Sequence, residues 1–319
     1  MPDNLKLYSD VKRIPVKWLW YPYIPYGKIT LIQGDPGEGK STLVMNIIAA
    51  LSAGTKTPDG VDIKEPVKTI YQCSEDGIAD TIKPRLEKAG AVCENIAFID
   101  ENENPLSLSN DCFRDAIAEF NAKVLVIDPF QAYIGEGTSM FDAGSVRKLM
   151  HRLCIWASAY DCAIILVGHL NKKESSRALY RGLGSVDVVA SARSVLHVGR
   201  GDDENIRIVK QVKNSLAPLA PEAMFEFCPI NGIRWVECKK IDNENDTQFA
   251  HSTTQEKASH DLIEMLESGP IKATEIEEYF INAGISMRTV YKTKTIMGIK
   301  SIKRGGVWYW KLDNKNGKQ

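Results

Sequence analysis

Gly34-Asp35-Pro36-Gly37-Glu38-Gly39-Lys40-Ser41 satisfies the spacing G-x-x-x-x-G-K-[ST], between a short apolar run at 28–33 and a helical pattern at 41–53. A strand before and a helix after is the context in which this motif holds phosphates. Successive backbone N–H groups of the glycine-rich loop, together with a helix N-terminus, form a concave anion site. Gly37 and Gly39 permit positive φ and let the main chain approach the phosphates closely. Lys40 is expected to reach the β- and γ-phosphates and Ser41 to ligand Mg²⁺, with Gly34, Asp35, Pro36, Glu38 and Thr42 completing the cradle. The implied chemistry is the binding of ATP with Mg²⁺.

Hydrolysis needs further groups. Residues 124–128 (VLVID) form an apolar run that ends in a carboxylate. An Asp at the carboxyl end of a strand faces the crevice where α/β sheets bind ligands. Asp128 is therefore the second expected Mg²⁺ group. Pro129 follows it rather than an acid, so a water-activating base must come from elsewhere. Glu75, just past a strand pattern at 69–73, is the candidate for orienting the attacking water. A solvated loop glutamate is equally compatible with that spacing. The run at 163–167 ends in Gly168-His169-Leu170-Asn171-Lys172, where a polar side chain can touch a γ-phosphate or be satisfied by core or solvent.

These residues must be held by alternating strands and helices. Runs at 28–33, 69–73, 97–99, 123–127, 163–167, 194–198 and 206–212 read as strands, and 41–53, 78–89, 111–120 and 146–159 as helices. Unbroken β-rich runs such as KVLVI and AIILV are what strands buried on both faces require. The alternation implies an α/β fold with a mostly parallel sheet. Residues 1–27 are rich in Pro and aromatics and read as an extended lead-in beside the core, with stacking on an adenine an open alternative. Residues 240–256 are polar and read as a linker. Beyond it, 257–312 reads as three helices (258–266, 273–283, 287–295) and a β-ribbon turning at Gly305-Gly306, the order of a winged helix-turn-helix. The tail, 313–319, is polar.

With 319 residues, 44% hydrophobic, 25% charged and a formal net charge of −1, the chain fits one large and one small globular domain. Any polyanion must be met by local basic patches. The seven cysteines contain no C-x-x-C pair, which argues for reduced thiols and against zinc. Neither a signal-peptide pattern nor an apolar stretch long enough for a membrane span is present, so the expected location is cytoplasmic.

The ordered set GDPGEGKS, QCSEDG, VLVIDPFQAY, ILVGHLNK and RGLGSVDVVASARSVLHV resembles the RecA/DnaB-type ATPases, and especially the RepA-like hexameric replicative helicases of plasmids, phages and other mobile elements, over residues 12–238. The resemblance implies a RecA-like P-loop core, Glu75 as catalytic base and His169 as γ-phosphate sensor. It also implies that Arg85 and Arg193 act as arginine fingers toward the ATP of an adjacent subunit, with Lys210 and Lys213 as weaker candidates for action in trans. Such fingers offset charge in a loose phosphoryl-transfer transition state. Sites shared between subunits imply a homo-oligomer, with a hexameric ring as the family expectation and a filament as the other way a heterologous interface can grow.

Single-stranded DNA is the expected partner. Lys172, Lys173, Arg177 and Arg181 surround Tyr180 in the segment 171–187, and cations interleaved with an aromatic suit phosphate contacts and base stacking. A second segment, 133–143, bears two acids. From 285 onward nine cations face the single acid Asp313. Arg288, Lys292 and Lys294 on the third helix and Lys303 and Arg304 at the wing suit a duplex groove, or a protein surface as the alternative. The favoured reading is a DNA-dependent ATPase acting as a helicase. Its rivals are a non-translocating initiator, regulator or helicase loader, and a RecA-like recombination mediator.

Overall fold

Val124, Leu125, Val126 and Ile127 are all fully buried, yet they serve two different cores: Leu125 and Ile127 face one side of a sheet, Val124 and Val126 the other. The same alternation sends Ile164 and Leu166 one way and Ile165 and Val167 the other. Each such side chain contributes about 1.5–3 kcal/mol relative to exposure, which is why a sandwiched strand is apolar at every position.

The computed structural model describes residues 6–101, 105–135, 142–169, 186–201, 203–238, 254–267, 269–283 and 285–312. They belong to two units, Met1–Thr247 and Gln248–Gln319.

The first unit contains β1 (Trp18–Trp20), β2 (Ile24–Pro25), β3 (Ile29–Gly34), α1 (Lys40–Ala53), β4 (Thr69–Cys73), α2 (Lys83–Lys88), β5 (Ile96–Ala97), α3 (Cys112–Phe120), β6 (Val124–Asp128), α4 (Ala143–Tyr160), β7 (Ala163–His169), α5 (Val186–Ser191), β8 (Ser194–Arg200), β9 (Ile206–Asn214), β10 (Ala223–Cys228) and β11 (Gly232–Glu237). Nine strands form one sheet in the order β11-β10-β9-β8-β3-β7-β6-β4-β5. From β8 to β5 every pairing is parallel, and β9, β10 and β11 extend the sheet antiparallel. The fold is α/β with a mostly parallel sheet. Helices α3, α4 and α5 cover one face, and α1 and α2 the other.

Three local features depart from the expected pattern. Trp20 stacks on Tyr23 at 4.0 Å, both fully buried, and the carbonyl of Pro22 accepts from Gln211 and Asn214. Residues 18–25 thus belong to the core, and this aromatic pair has no open face for a base. Pro84 lies in the first turn of α2, where a missing N–H is harmless, and the chain reaches it through a wide turn at Ile78–Ile82. The strands β10 and β11 were not foreseen. A period-2 pattern and the Asn231-Gly232 turn between them are the signal that would have found them.

The second unit contains α6 (Thr254–Glu267), β12 (Ile271–Lys272), α7 (Ala273–Asn282), α8 (Met287–Ile296), β13 (Lys300–Arg304) and β14 (Val307–Lys311). Its antiparallel sheet runs β12-β14-β13, with β12 a strand that sequence reasoning missed. Leu262, Leu266, Ile276, Phe280, Val290 and Trp310 form its core. The Ser286 side chain caps α8 by accepting from the Thr289 N–H. Most of the expected linker and all of 313–319 lie outside the described residues.

Candidate functional site

β3 is buried along its whole length and delivers the loop 34–41 at its carboxyl end. Two glycines there answer to specific neighbours. A Cβ on Gly34 would lie 2.2 Å from the carbonyl oxygen of Val198 on the adjacent strand β8. Gly39 caps α1 with φ 86°, and a Cβ on it would meet the Phe227 ring at 2.7 Å. The Lys40 side chain folds back into the loop, its Nζ donating to the carbonyls of Gly34 (2.9 Å) and Asp35 (2.8 Å). Only 4% of Lys40 is exposed. Burial pushes its pKa down, while the negative charges of Asp128, Asp35, Glu38 and Glu75 work in the opposite direction.

Asp128 ends β6 beside this ammonium and is equally buried, at 4%. Its carboxylate accepts from the hydroxyl of Tyr71 on the neighbouring strand β4 at 3.0 Å, and the Ser41 side chain acts on it from nearby. Burial raises its pKa above the ordinary carboxylate range; the Ser41 and Tyr71 hydrogen bonds and the Lys40 charge oppose that shift, and the Glu75 charge adds to it. Ser41 and Asp128, the two expected Mg²⁺ groups, therefore lie near each other. A desolvated carboxylate beside a hydroxyl suits a hard cation that takes oxygen ligands. Tyr71 went unnoticed in the sequence: a tyrosine in an apolar strand carries no signal of where its hydroxyl points.

In the parallel register Cys73 lies opposite Asp128, so Glu75 emerges two residues beyond the level of Asp128, exposed. Its charge acts on both Lys40 and Asp128. His169 pairs with Gly34 in the β7–β3 ladder, which sets its backbone beside the start of the loop. Four side chains from three separated segments (Lys40, Ser41, Glu75 and Asp128) thus converge on one edge of the sheet.

The expected fingers sit differently. Arg85 on α2 is half-exposed and pairs with Asp76 at 2.8 Å. It shares a hollow of about 340 Å³ with Thr42, Asn46, Lys88 and Phe227. Arg193 is exposed just before β8. Lys213 donates to the carbonyls of Val189, Ala190 and Ala192 at 2.7–2.9 Å, closing the end of α5, and Lys210 pairs with Glu222. Those ammonium groups are engaged within their own chain. Lys172, Lys173, Arg177 and Arg181 lie outside the described residues, as does most of 133–143.

In the second unit Arg288, Lys292, Lys303 and Arg304 are exposed. Lys294 turns inward instead. Its ammonium lies 4.1 Å from the Trp310 ring centroid and donates to Ser301, and burial lowers its pKa. Trp310 packs in the core, whereas Trp308 is half exposed with Lys303 over its ring. All seven cysteines are free, and no group of three potential metal ligands occurs among the described residues. No described helix is long and apolar enough to cross a membrane.

Comparison with known proteins shows the family. A family model for the AAA domain (AAA_25) matches residues 7–175, more than half of the chain, and the chain belongs to that family of P-loop ATPases. Among curated proteins it is similar to the DNA repair protein RadA of Helicobacter pylori (strain J99), 26% identical over 206 residues that cover 64% of this chain and 41% of the relative. RadA of Bacillus subtilis is 27% identical over 203 residues, covering 63% and 39%. The chain spans about two fifths of the length of these relatives. Among solved structures, the KaiC-like protein PH0186 of Pyrococcus horikoshii aligns over 67% of this chain and 91% of its own, at 21% identity and a TM-score of 0.49. The loop strand, the strand order and the family together define an α/β P-loop ATPase core.

Proposed function

We propose that this chain binds ATP with Mg²⁺ and hydrolyses it in a DNA-dependent motor, working as a cytoplasmic homo-oligomer, a hexameric replicative helicase of a mobile element. The observation that carries the ATPase reading is the convergence of Ser41 and Asp128 beside the buried ammonium of Lys40, with Glu75 emerging next to them. In this reading Lys40 offsets phosphate charge, Ser41 and Asp128 hold Mg²⁺, and Glu75 orients the attacking water. His169 senses the γ-phosphate. Arg85 and Arg193 act on a neighbour's nucleotide, which for Arg85 requires release from Asp76. DNA is held by Lys172, Lys173, Arg177 and Arg181, and by the exposed cations of the second unit acting as a winged helix.

The similarity to RadA favours a second reading, a RecA-like ATPase of recombination or repair. The test is ATP turnover with and without single-stranded DNA, together with the mass of the assembly and ATP-dependent unwinding of a forked duplex. Turnover stimulated by DNA, a six-fold mass and unwinding support the helicase. Stimulated turnover without unwinding, on filaments, supports the second reading. Absence of any ATP turnover would overturn both.

A further inference from the structure

The phosphate loop carries a charge of the wrong sign. Glu38, its fifth residue, is almost completely buried, and a carboxylate there opposes an incoming polyphosphate. Two arginines from the strands β8 and β9 meet it. Arg200, at the end of β8, donates from Nε to Glu38 Oε1 at 2.9 Å, and Arg207, near the start of β9, faces Oε2 with its Nε at 3.3 Å as an ion pair without hydrogen-bond alignment.

The two arginines are not equivalent. Arg200 has a side chain 64% exposed. Arg207 is buried (7% exposed), and its Nη1 donates to the carbonyls of Glu204 (2.6 Å) and Ile206 (3.1 Å). Its guanidinium lies 5.0 Å from the centroid of Phe227 on β10. That same ring occupies the space beside Gly39, one residue after Glu38. The loop is thus gripped twice by the antiparallel extension, at Glu38 through Arg207 and at Gly39 through Phe227.

We infer that Glu38 and Arg207 are positioning residues for the nucleotide site: their ion pair sets the shape of the phosphate loop, and β9 and β10 belong to the phosphate-binding machinery. This rests on the nucleotide reading above. A planar guanidinium fixed by two carbonyls and a ring offers the carboxylate one geometry, so the loop backbone between Gly37 and Lys40 is held ready for phosphate.

Two accounts of Glu38 give opposite signs. As an isolated charge near phosphates, its removal tightens anion binding. As a positioning group, its removal weakens binding although a negative charge is lost. The experiment is calorimetric titration of the full chain with ADP and Mg²⁺ for the wild type, Glu38→Ala, Glu38→Gln, Arg207→Ala, Arg207→Lys and the Glu38→Ala/Arg207→Ala double variant, with thermal melts alongside. Kd is expected to rise about tenfold in each Ala variant and no further in the double variant, because the pair acts as a unit. Glu38→Gln, which keeps the shape, recovers part of the loss, and KM for ATP rises while kcat stays within about twofold of wild type. Should Arg207→Ala not fold, Arg207→Lys against Glu38→Ala and Glu38→Gln carries the same comparison. Unchanged or tighter ADP binding by Glu38→Ala, or losses that add in the double variant, overturns the inference while leaving the nucleotide reading intact. A wild-type chain that binds no ADP removes both.

Discussion

The carboxyl edge of the parallel sheet and the exposed cations of the second unit use charge in opposite ways. At the first, Lys40, Asp128 and Glu38 are nearly inaccessible, and each is held by named partners within hydrogen-bond distance. At the second, Arg288, Lys292, Lys303 and Arg304 are exposed. A buried charge is stable only in a fixed arrangement, so its loss is felt in full. An exposed cation is screened and replaceable, and acts through its share of a field.

The largest effects are therefore expected at the sheet edge. Glu75→Gln should keep ATP affinity while kcat falls by about 10²–10⁴, the range for loss of a general base; normal turnover in single-turnover kinetics would strike Glu75 from the site. Lys40→Ala should lower kcat/KM by roughly 10²–10³, the loss typical of one preorganised charge-stabilising donor, with nucleotide binding followed in parallel. Tyr71→Phe tests how far the buried arrangement extends. Losing its hydrogen bond to Asp128 should cost about 1 kcal/mol in thermal or denaturant unfolding and raise the Mg²⁺ concentration needed for turnover.

Protonation sharpens the same contrast. Burial raises the pKa of Asp128, so this carboxyl takes up a proton at a higher pH than an exposed aspartate does. Mg²⁺-dependent nucleotide binding should weaken on acidification from that raised pKa downward, and Asp128→Asn should remove this part of the pH profile. In the ligand-free chain the sign is reversed. A folded pKa above the unfolded one means that stability is fullest below the unfolded value and falls as pH rises through the folded value. Chemical denaturation across that range reads it directly. The smallest effects belong to the second unit: Arg288→Ala or Lys303→Ala should reduce the salt slope of DNA binding by about 1 each and leave basal ATP turnover unchanged.

The two regions also differed in how much their sequences disclosed. The phosphate loop and the Asp128 strand were legible because each is contiguous and local chemistry dictates it: a glycine at φ 86° before Lys40, an apolar residue at every position of β6. Glu75 could be singled out only because Pro129 occupies the position after Asp128 where an acid would otherwise serve. The Glu38–Arg200 pair, 162 residues apart, was beyond any pattern in the sequence, since nothing local says which strand end will lie against the loop. Tyr71 was hidden for a related reason, as its ring satisfies the apolar core while its hydroxyl serves the site. In the second unit the cations could be counted but not sorted. Lys294 reads like Lys292 in the sequence, and only the fold turns it onto Trp310.

One strand is bound on both borders to strands that carry the site. β7 is laced to the loop-bearing β3 along one border and to the Asp128-bearing β6 along the other. Displacing it by even one rung would break both ladders together, so it behaves as a fixed post rather than a sliding bolt.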